Sequence, residues 1–138
     1  MALLVDTGPL YALADRADAH YERVRRFWRN NTDLLLVPHS VLPEACYLIE
    51  WHLGPEAGAR LLDSFVRGEL RGEALTLADV QRSAELIRLY ADSGLGFVDA
   101  SLVAMAERLN ITRILTLDVR HFGQVRPRHC QAFELLPS

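Results

Sequence analysis

Four acidic residues stand where their carboxylates could share one divalent cation. Asp6 follows LLV and Asp118 follows ILTL, two apolar runs that are typical of buried parallel strands. Glu44 and Asp99 each lie near the start of a mainly apolar helical segment. Ligands of an open α/β sheet bind beyond the carboxyl ends of its strands, so we expect these side chains to converge there. Converging carboxylates repel one another unless they share protons or hold a cation, which indicates a metal site.

The ligand types favour a hard cation and phosphate chemistry. Carboxylates with no His or Cys cluster select Mg²⁺ or Mn²⁺ over zinc. Such an ion keeps several waters and binds phosphate oxygens, so it can activate water beside a phosphorus atom. The residues therefore predict metal-dependent hydrolysis of a phosphodiester.

Strands and helices alternate along the chain in a way that would position these acids. Strands are predicted at Leu3–Val5, Leu34–Val37, Ala74–Leu77, Arg113–Leu117 and Ala132–Leu135, with helices between them. This alternation predicts an α/β fold with a mainly parallel sheet of four to five strands and right-handed crossovers. Among the helix starts, Thr7 and Ser40 are of residue types that cap helices.

Composition narrows the classes of function. All 15 basic residues are Arg and none is Lys, which excludes the usual P-loop, phospho-receiver and Schiff-base sites. The net charge of −3 would become +1 with two divalent cations bound, so it does not argue against nucleic acid. The 138 residues predict a single domain over 1–138. With no membrane span, no leader and two distant cysteines, Cys46 and Cys130, we expect a reduced cytoplasmic protein.

Several segments together resemble a known family. They are LLVDTGPLYALADRADAHY, PHSVLPEACYLI, GFVDASLVAMAERLNITRILTLD and the RHF that follows shortly after. The chain closely resembles PIN-domain ribonucleases, and within them the VapC-type toxins of bacterial and archaeal toxin–antitoxin pairs. The resemblance spans nearly the whole chain and implies a PIN-like three-layer α/β/α sandwich. One departure is Gly8-Pro9, where many relatives have Asn or Ser after the first Asp and Thr.

The resemblance also implies roles for particular residues. Asp6, Glu44, Asp99 and Asp118 match the family's acidic quartet. By the resemblance, Asp6, Asp99 and Asp118 would hold one Mg²⁺ or Mn²⁺, while Glu44 would join Asp6 on a second ion or orient its water. Cleavage of RNA would leave a 5′-phosphate and a 3′-hydroxyl. The expected partners are a second copy of the chain, in a homodimer, and a VapB-type antitoxin.

Other residues are candidates for supporting roles. Thr7, Ser40 and Thr116 could orient the carboxylates, with ordinary capping and strand polarity as the alternative. Arg120, Arg126 and Arg128 lie close in sequence to Asp118 and are candidates for contacts with RNA phosphates. Arg residues at 23–29 could also face RNA, although solvated helix charge is the commoner explanation for such a run. For His121 a structural role in its loop is favoured over a phosphate contact.

Three other functions stay open on the sequence alone. A housekeeping RNA-processing nuclease of the same fold would have the same residues, and an adjacent antitoxin gene would separate the two. A non-catalytic PIN scaffold that binds RNA or protein would retain the fold without cleaving. A phosphatase with Asp6 as nucleophile is disfavoured, because that chemistry usually places a second Asp where this chain has Gly8 and uses a Lys that it lacks.

Overall fold

A five-stranded sheet forms the centre of the molecule, and all of its strands are parallel. The computed structural model describes residues 1–138. The strands are β1 (Ala2–Val5), β2 (Leu34–Pro38), β3 (Arg71–Glu73), β4 (Arg113–Leu115) and β5 (Glu134–Leu136). Their order across the sheet is β3-β2-β1-β4-β5. The predicted α/β fold with a mainly parallel sheet of four to five strands is confirmed.

Helices connect the strands. They are α1 (Thr7–Ala14), α2 (Tyr21–Asn30), α3 (Val41–Leu53), α4 (Pro55–Val66), α5 (Leu77–Leu89), α6 (Phe97–Leu109) and α7 (Val119–Gln124), with a 3-10 turn at Ala91–Ser93. Helix α1 packs against α2, α3 and α4, α3 packs against α4, and α5 packs against α6. No helix has both the length and the apolar character needed to cross a membrane.

The core explains why β1 and α6 hold their positions. Leu3, Leu4 and Val5 of the central strand are completely buried. The segment 100–106 of α6 is buried throughout, as expected for a helix that is apolar almost all round. Burying one such large aliphatic side chain stabilises a fold by about 1.5–3 kcal/mol. The two elements that precede or carry Asp6 and Asp99 are therefore among the firmest in the molecule.

The sheet topology creates a crevice at the end of β1. The chain runs outward from β1 through β2 to β3, then crosses back to add β4 and β5 on the other side. The order of the strands thus reverses between β1 and β4, and ligands of open α/β sheets bind in the crevice at such a point. Asp6 directly follows β1, and Asp118 comes three residues after β4.

Some local predictions were wrong in detail. The third strand was predicted at Ala74–Leu77 but lies at Arg71–Glu73. The reason is a capping box, in which the Thr76 side chain accepts from the Asp79 N–H and the Asp79 side chain accepts from the Thr76 N–H. Leu77 consequently starts α5 instead of ending a strand. The short helix α7 was not predicted at all.

Candidate metal centre

The four acids line one cavity. Asp6, Glu44, Asp99 and Asp118 border an open cavity of about 530 Å³, together with Thr7, Gly8, Leu48 and Leu117. Each acid comes from a different element: the end of β1, the first turn of α3, the first turn of α6 and the start of α7. The topology thus brings together residues that lie more than 100 positions apart in sequence.

Asp6 is the most tightly held of the four. Its Oδ1 accepts the Thr7 backbone N–H at 2.8 Å, so Asp6 is itself the N-cap of α1, a role that the sequence had suggested for Thr7. Its Oδ2 accepts the Thr116 hydroxyl at 2.7 Å. Burial, more than Glu44 and Asp118, raises the pKa of Asp6, against the lowering effect of its two hydrogen bonds.

Thr116 connects two of the acids. Its hydroxyl donates to Asp6 Oδ2 and accepts the backbone N–H of Asp118 at 3.0 Å. The side chain is buried within the sheet edge, where it has no access to competing water. The geometry therefore agrees with the predicted orienting role of Thr116.

The pair Thr116→Val and Thr116→Ser separates this hydrogen-bonding role from packing. We expect Val, which keeps the shape but loses the hydroxyl, to weaken Mn²⁺ binding roughly 10–100-fold, the effect typical of removing a hydrogen bond to a ligand. Ser keeps the hydroxyl and should bind Mn²⁺ nearly as the wild type does. Titration calorimetry measures both, and equal affinities for Val and Ser would contradict the role.

Asp99 and Asp118 face each other, with His121 beside them. His121 Nδ1 lies 2.8 Å from Asp118 Oδ2 and 3.8 Å from Asp99 Oδ2. Burial, followed by the charges of Asp6 and Asp118, together raise the pKa of Asp99 to about 7. Burial also disfavours the charged form of Asp118, yet hydrogen bonds from His121 hold the pKa of Asp118 below its ordinary value. The hydrogen bond to Asp118 raises the pKa of His121.

Glu44 differs from the other three acids in being exposed, and unlike Asp6 and Asp118 its carboxylate accepts no hydrogen bond. It lies on the side of α3 that also carries Leu48, while Val41, Ala45 and Ile49 pack into the core. Its carboxylate is thus free to reach into the cavity.

Ser40 does not cap α3, since its side chain makes no capping hydrogen bond. Its hydroxyl instead lies 2.6 Å from that of Ser101, which donates to the carbonyl oxygen of Val98. Ser40 therefore donates to Ser101 and ties the start of α3 to α6. Sequence reasoning missed Ser101, although a lone polar side chain two residues after Asp99 in an apolar helix is a usable signal.

The cavity suits a hydrated cation. The cluster of Asp99, Asp118 and His121 places its potential ligand atoms within 4.8 Å of one another, and Asp6 and Glu44 line the same cavity. In its wall, the hydroxyl of Thr7 is buried and has no hydrogen-bond partner. Buried polar groups are normally paired, and a water on a bound ion would supply that partner. The acidic cluster can therefore hold a metal ion.

The three Arg candidates are placed differently from one another. Arg120 and Arg126 are exposed, and neither forms an ion pair. Arg128 instead contacts Glu85 with its guanidinium, at 3.4 Å, and Glu107 with its backbone N–H. Arg128 thus belongs to a network between α5 and α6, and only Arg120 and Arg126 keep their charge available for a ligand.

Comparison with known proteins agrees with this geometry. Residues 3–126 match the model of the PIN domain family. The chain is 30% identical over 135 residues to Ribonuclease VapC26 of Mycobacterium tuberculosis, which covers 98% of this chain and 100% of that protein.

Solved structures share the fold. The M. tuberculosis toxin VapC20, described as cleaving the sarcin–ricin loop, superposes with a TM-score of 0.80 at 21% identity, over 86% of this chain and 91% of that one. The DNA-bound VapBC complex of Salmonella typhimurium gives a TM-score of 0.69 at 17% identity, over 98% and 96% of the two chains. The family predicted from the sequence is confirmed: the chain belongs to the PIN-domain family and, within it, to the VapC ribonucleases.

Proposed function

We propose that this chain is a Mg²⁺- or Mn²⁺-dependent endoribonuclease, acting in the cytoplasm as the toxin of a type II toxin–antitoxin pair. The observation that carries the proposal is the meeting of four carboxylates from four elements in one cavity at the switch point of the sheet. Membership of the VapC ribonucleases supports RNA as the substrate. Residues 1–138 would act as a single PIN domain.

The four acids would divide the work between them. Asp6, Asp99 and Asp118 would hold one ion, and Glu44 would share a second ion with Asp6 or orient the attacking water. When bound, the ion lowers the pKa of water and offsets negative charge at the phosphorus atom. Glu44 suits the second role because its carboxylate has no competing hydrogen bond and faces the cavity. The products would be a 5′-phosphate and a 3′-hydroxyl.

RNA would approach across the exposed mouth of this cavity. Arg120 lies two residues after Asp118 and Arg126 two after the end of α7, both exposed and without an ion pair. Their guanidinium groups are free to contact RNA phosphates. Single-stranded loops are the usual targets of sequence-specific RNA recognition, and the description of VapC20 as cleaving one makes a hairpin loop the first substrate to test.

RNA cleavage tests the proposal directly. Purified protein is incubated with total RNA and with a synthetic sarcin–ricin hairpin in Mn²⁺, Mg²⁺ or EDTA, and the fragment ends are identified by adaptor ligation. We expect fragments with 5′-phosphates in Mn²⁺ or Mg²⁺ and none in EDTA. Fragments that persist in EDTA, or that carry 2′,3′-cyclic phosphates, would contradict metal-dependent hydrolysis.

A VapB-type antitoxin is the proposed protein partner. Between α1, α2, α3 and α4 lies a groove of about 350 Å³, lined mostly by apolar side chains and rimmed by Arg16, Arg60 and Arg67. The apolar lining suits one face of an amphipathic segment, and Arg16, which forms no ion pair, suits an acidic residue on it. Arg60 and Arg67, in contrast, already pair with Glu56 and Glu69. We expect a small reading frame beside the gene, and its co-expression should yield a complex and relieve growth arrest; the absence of such a frame, or arrest that persists, would contradict this pairing.

A second copy of the chain is proposed to pack on α3. Tyr47 and Trp51 of that helix are 63% and 73% exposed, and their rings stack with centroids 6.3 Å apart. Exposed aromatic pairs are enriched at interfaces, and a two-fold axis would place this patch against its own copy.

Trp51→Ser is expected to convert the dimer to monomers, because it removes the largest apolar side chain from this patch. Val66→Ser, at an 87% exposed position at the end of α4, serves as the control and should stay dimeric. Light scattering on the eluting protein measures the mass. A monomeric wild type, or a Trp51→Ser variant that still dimerises, would show that this surface has another role.

A further inference from the structure

His121 connects the acidic cavity to a turn on its rim. Its backbone N–H donates to Asp118 Oδ1 at 3.0 Å, and its ring Nδ1 lies 2.8 Å from Asp118 Oδ2. Its other ring nitrogen, Nε2, lies 3.1 Å from the carbonyl oxygen of Ser93. A carboxylate and a carbonyl oxygen are hydrogen-bond acceptors, so each ring nitrogen lies where it can donate. One side chain therefore joins Asp118 to the 3-10 turn Ala91–Ser93.

This link matters because His121 makes both of the close contacts, at 2.8 and 3.0 Å, with the Asp118 carboxylate. The Asp118 side chain is 33% exposed; its Oδ1 accepts the backbone N–H of His121, and its Oδ2 lies against the His121 ring. Without the ring, the carboxylate would keep one backbone hydrogen bond and could rotate away from the cavity. Asp6, in contrast, is held by Thr116 and by its own capping hydrogen bond.

The other end of the link lies close to Asp99. The turn Ala91–Ser93 leads through Gly94, in the left-handed conformation at φ 74°, to Leu95, which is almost fully buried. The chain then enters α6, whose first turn carries Asp99. Because His121 anchors the turn that precedes α6, it fixes the start of α7 relative to the start of α6.

We propose that His121 is a positioning residue that holds Asp118 toward the acidic cavity, at a fixed separation from Asp99. The inference rests on the proposed function, since it gives Asp118 the role of a metal ligand. His121 itself is not a ligand. A ligating nitrogen must point its lone pair at the ion, whereas both ring nitrogens of His121 face protein oxygens.

Two conservative substitutions separate the two ends of the link. The amide nitrogen of Asn is as many bonds from Cα as Nδ1 of His, whereas that of Gln matches Nε2. His121→Asn therefore keeps the donor to Asp118 and loses the contact with Ser93. His121→Gln keeps the reach to Ser93 and loses the donor to Asp118. Both side chains are polar and no larger than His, so the packing changes little.

The first measurement is the Mn²⁺ affinity of the wild type and of both variants, by titration calorimetry. We expect His121→Asn to bind Mn²⁺ within about threefold of the wild type, and His121→Gln to bind at least tenfold more weakly, as is typical when a hydrogen bond to a ligand is removed. Thermal unfolding of the metal-free variants should be similar, which separates positioning from packing. Electron spin-echo spectra of the Mn²⁺-loaded wild type should lack the ¹⁴N coupling of a ligated imidazole.

Three results would overturn the proposal. They are a His121→Gln variant that binds Mn²⁺ as tightly as the wild type, Asn and Gln variants that weaken binding equally, and a ¹⁴N coupling in the Mn²⁺-loaded wild type. The affinity measurement needs no RNA, so it is independent of substrate choice. A wild type that binds no Mn²⁺ would instead refute the proposed metal-dependent function, and with it the premise of this inference.

Discussion

Asp6→Asn is expected to reduce RNA cleavage by about a thousandfold or more, comparable with the loss of a principal electrostatic group in other enzymes. Asp6 is the acid proposed to contact both ions, and its charge cannot be replaced by a neighbour because it is buried at the end of β1. Asn keeps an oxygen that can cap α1, so the fold should survive. Hairpin cleavage under single-turnover conditions measures the loss.

The control for this prediction is Asp63→Asn. Asp63 is exposed on α4 and lies outside the acidic cavity. Its substitution makes the same chemical change, from a carboxylate to an amide. The Asp63→Asn variant should cleave RNA at the rate of the wild type, and circular dichroism should show that both variants are folded. Cleavage by Asp6→Asn at a rate close to that of Asp63→Asn would mean that the activity does not depend on this carboxylate.

Asp99→Asn is expected to abolish cleavage and yet stabilise the metal-free protein. Burial and the charges of Asp6 and Asp118 raise the pKa of Asp99 to about 7, so at pH 8 the fold holds a carboxylate that it disfavours. A neutral amide of the same shape removes that cost, which is on the order of 2–4 kcal/mol. For a domain of this size we expect the Tm at pH 8 to rise by roughly 5–10 °C.

The pH dependence of the protein's stability follows from the same raised pKa of Asp99. Between the unfolded pKa of 3.8 and the folded value of about 7, native Asp99 binds more protons than the unfolded chain. The contribution of Asp99 to stability is therefore most favourable below about pH 4, where the side chain is protonated, and it is lost as the pH rises through 7. His121, whose pKa is also raised, acts in the same direction. The lowered pKa of Asp118 matters only at more acidic pH.

Thermal unfolding of metal-free protein at pH 5 and pH 8 tests this account. The wild type should lose stability over this interval, and Asp99→Asn should lose less. At pH 8, Mn²⁺ should restore the thermal stability of the wild type, because the cation offsets the carboxylate charge that protons no longer neutralise. Mn²⁺ should change the Tm of the variant little. A metal-free Asp99→Asn variant less stable than the wild type at pH 8 would show that the carboxylate is satisfied without a cation.

The convergence of the four carboxylates could be predicted from the sequence, and the reason is physical. Runs of Leu, Ile and Val before Asp6 and Asp118 indicate parallel strands, and parallel strands end at the same edge of a sheet. The apolar character of α6 likewise indicates a buried helix around Asp99. These signals are local in sequence, and the topology of α/β folds then leaves few alternatives.

The contacts that hold the acids were harder to predict, because they depend on distances between remote segments. Thr116 and Asp6 are 110 residues apart, and Ser40 and Ser101 are 61 apart. Neither pair has a spacing that a pattern could detect. Arg128 shows the same limit, since its nearness in sequence to Asp118 gave no indication of the pairing with Glu85.

Location of Mn²⁺ by anomalous diffraction is the most direct test of the central claim, that the four carboxylates form the metal centre of this ribonuclease. Crystals of the wild type and of Asp6→Asn would be soaked in Mn²⁺ under the same conditions. We predict an anomalous peak bounded by the carboxylates of Asp6, Asp99 and Asp118, and its loss in the variant. A peak elsewhere, an equal peak in the variant, or no peak at saturating Mn²⁺ would contradict the assignment.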